Sequence, residues 1–169
     1  MTLRARTEAD NDVMYAIAAD LDTWEERGPD APTPLTRAQY DARLRREAEA
    51  PPGKVSFIVD VDGVAVGAVS LFNLDSLARH AEVGINLAPT ARGRGIGTEV
   101  IRQVVEFGFT RHNLRRLHLQ AIASNAAAIR AYEKAGFVVE GRLREHAWVR
   151  GGYEDMVLMG ILREDHHSA

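Results

Sequence analysis

The chain has 169 residues, 46% of them hydrophobic and 27% charged, with a net charge of -3 and no cysteine. That length suits one domain, 1–169, able to bury a core unaided, and the missing thiols exclude a disulfide framework, a thiolate metal site and a cysteine nucleophile. The charge balance does not point to nucleic acid, no apolar run reaches the length of a membrane span, and "MTLRARTEADND" lacks the apolar core of a signal peptide, so a cytoplasmic protein without a nucleic-acid or membrane partner is expected.

The pattern predicts helices first. In "TEADNDVMYAIAADLDTW", Val13, Met14, Ile17 and Leu21 recur at helical spacing behind a capping Thr7. Thr36 and Gln39 form a capping-box pair ahead of a second helix with Tyr40 and Leu44 on one face. "APPGK" ends it, and "VSFIVDVDGVAVGAVSLFNL" reads as two strands around an Asp62-Gly63 hairpin turn. "AEVGINLAP" alternates as a strand, with Val83, Ile85 and Leu87 on one face and Glu82, Gly84 and Asn86 on the other. "TEVIRQVVEFGFT" is amphipathic, and "LRRLHLQAIA" returns as a strand whose right-handed crossover makes it parallel to the earlier one. "NAAAIRAYEKAG" is a further helix ended by Gly136. Two long strands, "FVVEGRLREHAWV" and "EDMVLMGIL", surround Gly151-Gly152, and the tail at 164–169 is expected to be flexible.

Between the strand and the amphipathic helix stands "ARGRGIGTEV", with Gly93, Gly95 and Gly97 among two arginines. A helix beginning near Gly95 presents unpartnered N–H groups and the positive end of its dipole, and glycines let a bulky anion approach them. The stretch reads as a diphosphate cradle. A nucleotide P-loop would need Lys and then Ser or Thr after its last glycine, whereas Gly97 is followed directly by Thr98. The spacing of the glycines also misses the dinucleotide fingerprint G-x-G-x-x-G.

"RGRGIG" has the R/Q-x-x-G-x-G/A spacing, "NLAPTARGRGIG" places a strand end ahead of it, and "NAAAIRAYEKAGF" carries Asn125, Ala128, Tyr132, Gly136 and Phe137 in order. On these residues the chain resembles the GNAT superfamily of acyl-CoA-dependent N-acetyltransferases. "EGRLREHAWVRGGYEDMVLMGIL" is similar to the branch acting on N-terminal amines of ribosomal proteins, with related polyamine and antibiotic acetyltransferases. The resemblance implies an α/β (α+β) GNAT fold: a mixed, mostly antiparallel central sheet with a splayed parallel strand pair, flanked by helices. It also implies acetyl-CoA as co-substrate and direct transfer to a primary amine in a ternary complex. The acceptor leading by branch is a protein or peptide N-terminal amine; a small amine such as a polyamine or antibiotic is the alternative, and a non-catalytic CoA-binding module is a further one. The same branch suggests a homodimer.

The resemblance distributes roles along the chain. Main-chain groups of Ile85, Asn86 and Leu87 pair with the pantetheine arm, and N–H groups of Arg92, Gly93, Arg94, Gly95, Ile96, Gly97 and Thr98 hold the diphosphate. The Arg92 and Arg94 side chains either touch phosphate or are solvated. Asn125 hydrogen-bonds the pantetheine, caps the next helix, or does both. Tyr132 serves the departing thiolate, as a hydrogen-bond donor more than a proton source, since a thiol titrates near ~8.5 and a phenol near ~10. Glu82 is the candidate base, against a reading as a solvated strand-end glutamate. Trp24 and Glu25, with Glu82, face the acceptor, and Asp22, Glu26 and Asp30 share the first two's acidic and aromatic rim. His80, His118 and His146 lie singly on strands and are expected to be packed or exposed, His166-His167 is a tail pair, and no spacing matches a metal site.

Overall fold

The computed structural model of the chain describes residues 1–25, 32–49 and 53–166. Among the described residues the strands are β1 (Thr2–Arg4), β2 (Lys54–Val61), β3 (Val64–Asp75), β4 (His80–Leu87), β5 (Arg116–Ile122), β6 (Val138–Val149) and β7 (Gly152–Leu162). The helices are α1 (Asn11–Ala19), α2 (Leu21–Glu25), α3 (Arg37–Glu49), α4 (Ile96–Thr110), α5 (Ala126–Lys134) and α6 (Arg163–His166). One sheet runs in the order β1-β2-β3-β4-β5-β7-β6, with β4 and β5 parallel and every other neighbouring pair antiparallel.

The largest apolar cluster lies on one sheet face, where α4 buries Val100, Ile101, Val104, Val105 and Phe109 against Val69, Leu71, Val83, Leu117 and Leu119. Five buried apolar side chains, four aliphatic and one aromatic, of about 1.5–3 kcal/mol each make this packing a principal stabiliser of the fold. Ile129 and Tyr132 of α5 pack against the same cluster. A smaller cluster joins Met14 and Ile17 of α1 to Tyr40 of α3 and to Ile58 and Ala65. The sheet is thus covered on both faces on its β2–β3 side, while β6 is exposed along most of its length.

Local chemistry accounts for several boundaries. The Thr36 amide donates to Gln39 Oε1 at 2.9 Å and the Gln39 amide to Thr36 Oγ1 at 3.3 Å, so the capping box expected there is formed. Asp62 and Gly63 both take positive φ, 54° and 83°, the pair of left-handed residues a tight hairpin requires. Helix one does not run unbroken from Thr7 to Trp24. Asp20 is extended at ψ 112° and its carboxylate accepts the Thr23 amide at 2.6 Å, so a second cap starts α2 and turns Leu21 outward.

β1 was not evident in the sequence because three residues carry no readable alternation; its pairing with Ile58–Asp60 defines it. Residues 163–166, where the flexible tail was expected, form a helical turn pinned by a His166–Glu106 contact of 2.8 Å and by the Arg163 amide donating to Arg115 O. The rest of that tail, with His167, lies outside the described residues.

Arg4 holds this N-terminal layer together. Its guanidinium donates to Asp10 at 2.8 Å and to Asp60 at 2.8 Å, and both carboxylates are buried. The hydrogen bonds from Arg4 hold both acids below the usual carboxylate range. A depressed folded-state pKa adds stability above the unfolded value, about 4, and that stability is lost as pH falls through the folded values. We therefore expect Asp10→Asn to lower the Tm at about pH 7 and to narrow the difference in Tm between about pH 7 and pH 3, read by circular dichroism.

Candidate functional site

The parallel β4–β5 join is short. Among the described residues it comprises His80 with Arg116, Ala81 with Leu117, and Glu82 with His118. Beyond Glu82, β4 stays paired to β3, through Leu87 opposite Gly67, while β5 stays paired to β7, through Ile122 opposite Met156. The sheet therefore opens into a wedge.

The direction of the strand amides follows from the pairing. The Ala88 amide donates to Val66 O at 2.8 Å, so in an alternating antiparallel ladder the main-chain groups of Asn86 also face β3. Those of Ile85 and Leu87 face the wedge. On the other lip, the Ala123 amide donates to Asp155 O, which leaves the main chain of Gln120 facing the wedge. Buried or half-buried amides in such an edge demand partners, and an extended amide-bearing ligand supplies them as an added strand. Asn86 contributes no main chain to this edge; its place in the expected set is on the opposite ladder.

The wedge leads to the glycine turn. A single turn at Pro89–Ala91 follows β4, and then Gly93 and Gly95 take φ of 70° and 79°, with open space where a side chain would stand. Only glycine adopts this region without penalty, and here two are needed to turn the chain into α4. The Gly95 carbonyl accepts the Glu99 amide at 3.2 Å, so the amides of Ile96, Gly97 and Thr98 lead the helix without intrahelical partners. These residues fit a diphosphate: amides lead a long helix, the backbone is unobstructed, and the apolar face below is fixed by packing.

The two arginines divide. Arg92 Nε donates to Leu87 O at 3.1 Å and an Arg92 terminal nitrogen to Thr23 Oγ1 at 2.8 Å. Its guanidinium ties the turn to α2 and to the end of β4. Arg94 is exposed, with no ion pair among the described residues, and is the cation left to the cradle. Asn125 Oδ1 accepts the Ala128 amide at 3.1 Å, so the capping half of its dual reading is formed.

Tyr132 lies on α5, half-buried beside Phe137, with no hydrogen-bond partner for its hydroxyl among the described residues. Burial pushes the phenol up to about 12. It is therefore a neutral donor at working pH, and outright proton transfer to a thiolate is more uphill than in water.

Glu82 stands at the vertex of the wedge, half-buried on the face opposite Val83, and its Oε2 accepts Asn73 Nδ2 at 3.0 Å. Gly84 makes room for the Phe72 ring, which a Cβ there would meet at 3.0 Å. His80 and His118 are not single residues in space: their rings pack edge to face with centroids 5.4 Å apart. His146 lies elsewhere, beside Arg142, Arg144 and Asp155 where β6 bulges.

On the acceptor side, Trp24 and Glu25 are half-buried on α2. Arg150, from the β6–β7 turn, approaches Glu25 at 3.6 Å and Asp22 at 3.7 Å. The expected acidic rim thus carries a cation of its own, and α2 is tied both to the cradle and to the hairpin. Glu26 and Asp30 lie outside the described residues. Thr23, Asn73 and Arg150 were missed in the sequence; their roles arise from contacts across 69, 9 and 125 residues, and only the turn-forming Gly151-Gly152 hinted at one of them. Among the described residues no group of His, Asp or Glu is arranged to hold a metal ion, and no helix is long and apolar enough to cross a membrane.

A wedge between diverging parallel strands, a glycine cradle at a helix start and a tyrosine on the following helix together define an acyl-carrier-binding architecture. Residues 1–138 match the acetyltransferase (GNAT) domain family, and the chain belongs to that family. It is 32% identical over 127 residues to spermidine N(1)-acetyltransferase of Escherichia coli K12, covering 75% of this chain and 66% of that protein. It is 33% identical over 104 residues to a putative ribosomal N-acetyltransferase of Bacillus subtilis, covering 62% of this chain and 57% of that one. The crystal structure of spermidine N-acetyltransferase from Vibrio cholerae in complex with CoA and spermine superimposes with a TM-score of 0.88 at 26% identity, covering 98% of this chain and 97% of that one. The chain thus spans about two thirds or less of the length of these curated relatives.

Proposed function

We propose that the protein is an acetyl-CoA-dependent N-acetyltransferase acting on a small primary amine of the polyamine class. The observation that carries this reading is the wedge: main chain of Ile85, Leu87 and Gln120 turned away from the strand pairing on both lips, with Leu87 O held by Arg92, ending at unobstructed helix amides. Spermidine acetyltransferases among the relatives turn the acceptor away from the peptide N-terminus that branch resemblance favoured. Acetyl-CoA, when bound, supplies an activated acetyl thioester.

The chain's own groups do the rest. Ile85 and Leu87 pair with the carrier's amides, and Ile96, Gly97 and Thr98 receive its diphosphate beside Arg94. Asn125 caps α5, which fixes where Tyr132 stands. Tyr132 donates a hydrogen bond toward the departing sulfur, and Glu82 accepts the proton that the amine must lose. A polyamine amine titrates nearer a lysine, ~10.4, than a peptide N-terminus, ~8, so a base matters more for this acceptor class.

A peptide N-terminus remains the second reading, on the likeness to the putative ribosomal enzyme. Calorimetry with CoA and acetyl-CoA, followed by mass spectrometry of products from a panel of polyamines, aminoglycosides and peptides, tests both. Acetylated polyamine supports the first reading; acetylated peptide alone replaces it with the second. No binding of either coenzyme by folded protein ends both.

A further inference from the structure

Three neighbouring strands bring Asn73, Glu82 and His118 to one place. β3 and β4 pair regularly as far as Phe72 and Glu82, and then the register slips before Asp75 meets His80. Inside that irregularity Asn73 takes a left-handed φ of 50° and sends its amide onto the Glu82 carboxylate. Bulges re-aim side chains, and this one aims at an ionisable group beside the wedge. On the other edge Glu82 is in register with His118, at the last residue pair before the strands part. Among the described residues His118 Nδ1 is buried and has no hydrogen-bond partner, a state that calls for an explanation such as a catalytic role or an unseen water.

The charged groups facing His118 are Glu82 and His80 from β4, Arg116 from its own strand, and Glu140 from β6, which is paired with Arg116. Burial, the largest influence, holds the imidazole below its ordinary value. The Arg116 guanidinium and, when protonated, His80 act in the same direction, and the two carboxylates oppose them. The ring is neutral at about pH 7 and able to accept a proton.

We propose that Glu82 and His118 form a proton relay, with Asn73 as the positioning residue that fixes the carboxylate. This rests on the acetyl-transfer reading above. As the acceptor ammonium loses one N–H bond, an O–H bond forms on Glu82. That O–H then breaks as its proton passes through a water between the two side chains, which do not touch directly, and an N–H bond forms on His118; the carboxylate is restored and an imidazolium is left to release its proton to water. No oxidant, reductant or co-reactant enters.

The first test reads the full chain without coenzyme, by NMR titration of its labelled imidazoles. Glu82→Gln removes the carboxylate that favours protonated His118, so the His118 midpoint falls by about half a pH unit or more. An unmoved midpoint overturns the relay. The second test is kinetic: His118→Gln lowers kcat about tenfold near pH 7 with KM little changed, and the deficit shrinks as pH rises and fewer protons need removal. Asn73→Gly, which keeps the left-handed backbone comfortable while deleting the amide, lowers kcat in the same sense. A His118→Gln profile that superimposes on the parent overturns the relay even if the NMR coupling is present. Either failure with CoA binding intact by calorimetry removes this inference alone; absent CoA binding removes the acetyl-transfer reading with it.

Discussion

Tyr132→Phe is expected to lower kcat by about 10²-fold or more while KM for acetyl-CoA changes little, because in its proposed role the hydroxyl acts on charge that develops only as the thiolate departs. Removing one well-placed donor of this kind costs about 10²–10³ in kcat where it has been dissected. The substitution is also clean. The hydroxyl has no hydrogen-bond partner among the described residues, and the ring keeps its place against Phe137, so the Tm moves little. Since burial pushes the phenol up to about 12, the parent enzyme loses no activity from Tyr132 ionisation at ordinary alkaline pH. Steady-state kinetics with single-turnover measurements on both proteins decide the matter. An unchanged kcat, with chemistry shown to limit turnover, removes Tyr132 from the reaction.

Gly67→Ala damages the carrier site from a distance. A Cβ at this position would lie 2.1 Å from Asn86 O and 3.0 Å from the Leu87 Cα, both backbone atoms that cannot swing aside. β3 and β4 have to separate or slide where Leu87 faces the wedge and receives Arg92. Overpacking of this kind costs about 1–3 kcal/mol, and for a chain of this size each kcal/mol lowers the Tm by about 2–4 °C. CoA affinity is expected to fall as well, since the displaced edge is the one proposed to pair with the pantetheine. Thermal unfolding and calorimetry check the two effects; a variant with parental Tm and CoA affinity contradicts the close approach of these strands.

The sequence made the elements around the carrier more legible than those around the acceptor. The buried face of α4, from Val100 to Gly108, follows its apolar period because one helix on one sheet face needs only local pattern to be read. Gly93 and Gly95 were legible for a related reason: the left-handed turn is a property of the residues themselves. Asp62-Gly63 and Thr36 with Gln39 belong with them. The break at Asp20 was hidden, because Asp within an apolar period reads as an exposed helical position until its carboxylate is seen capping Thr23.

Long-range placement was the larger gap. Arg92 sits within a motif, yet the direction of its guanidinium depends on Thr23, 69 positions away. His80 and His118 read as unrelated because the parallel pairing that brings their rings together has no local signature. Asn73 and its bulge appear in the sequence only as the end of an apolar run. β6 was expected as an unbroken strand, but its register shifts after Val139 and again after Leu143, where Glu145 takes a positive φ and its amide donates to Asp155.

The brevity of the β4–β5 join carries a mechanical meaning. Two antiparallel leaves meet along a seam only as long as the pairs from His80 to Glu82, so the backbone alone stitches them loosely. A guest bonding along both margins lengthens the stitching, and its departure shortens it again. The stiffness of the fabric at that line is therefore shared between the chain and whatever lies in it.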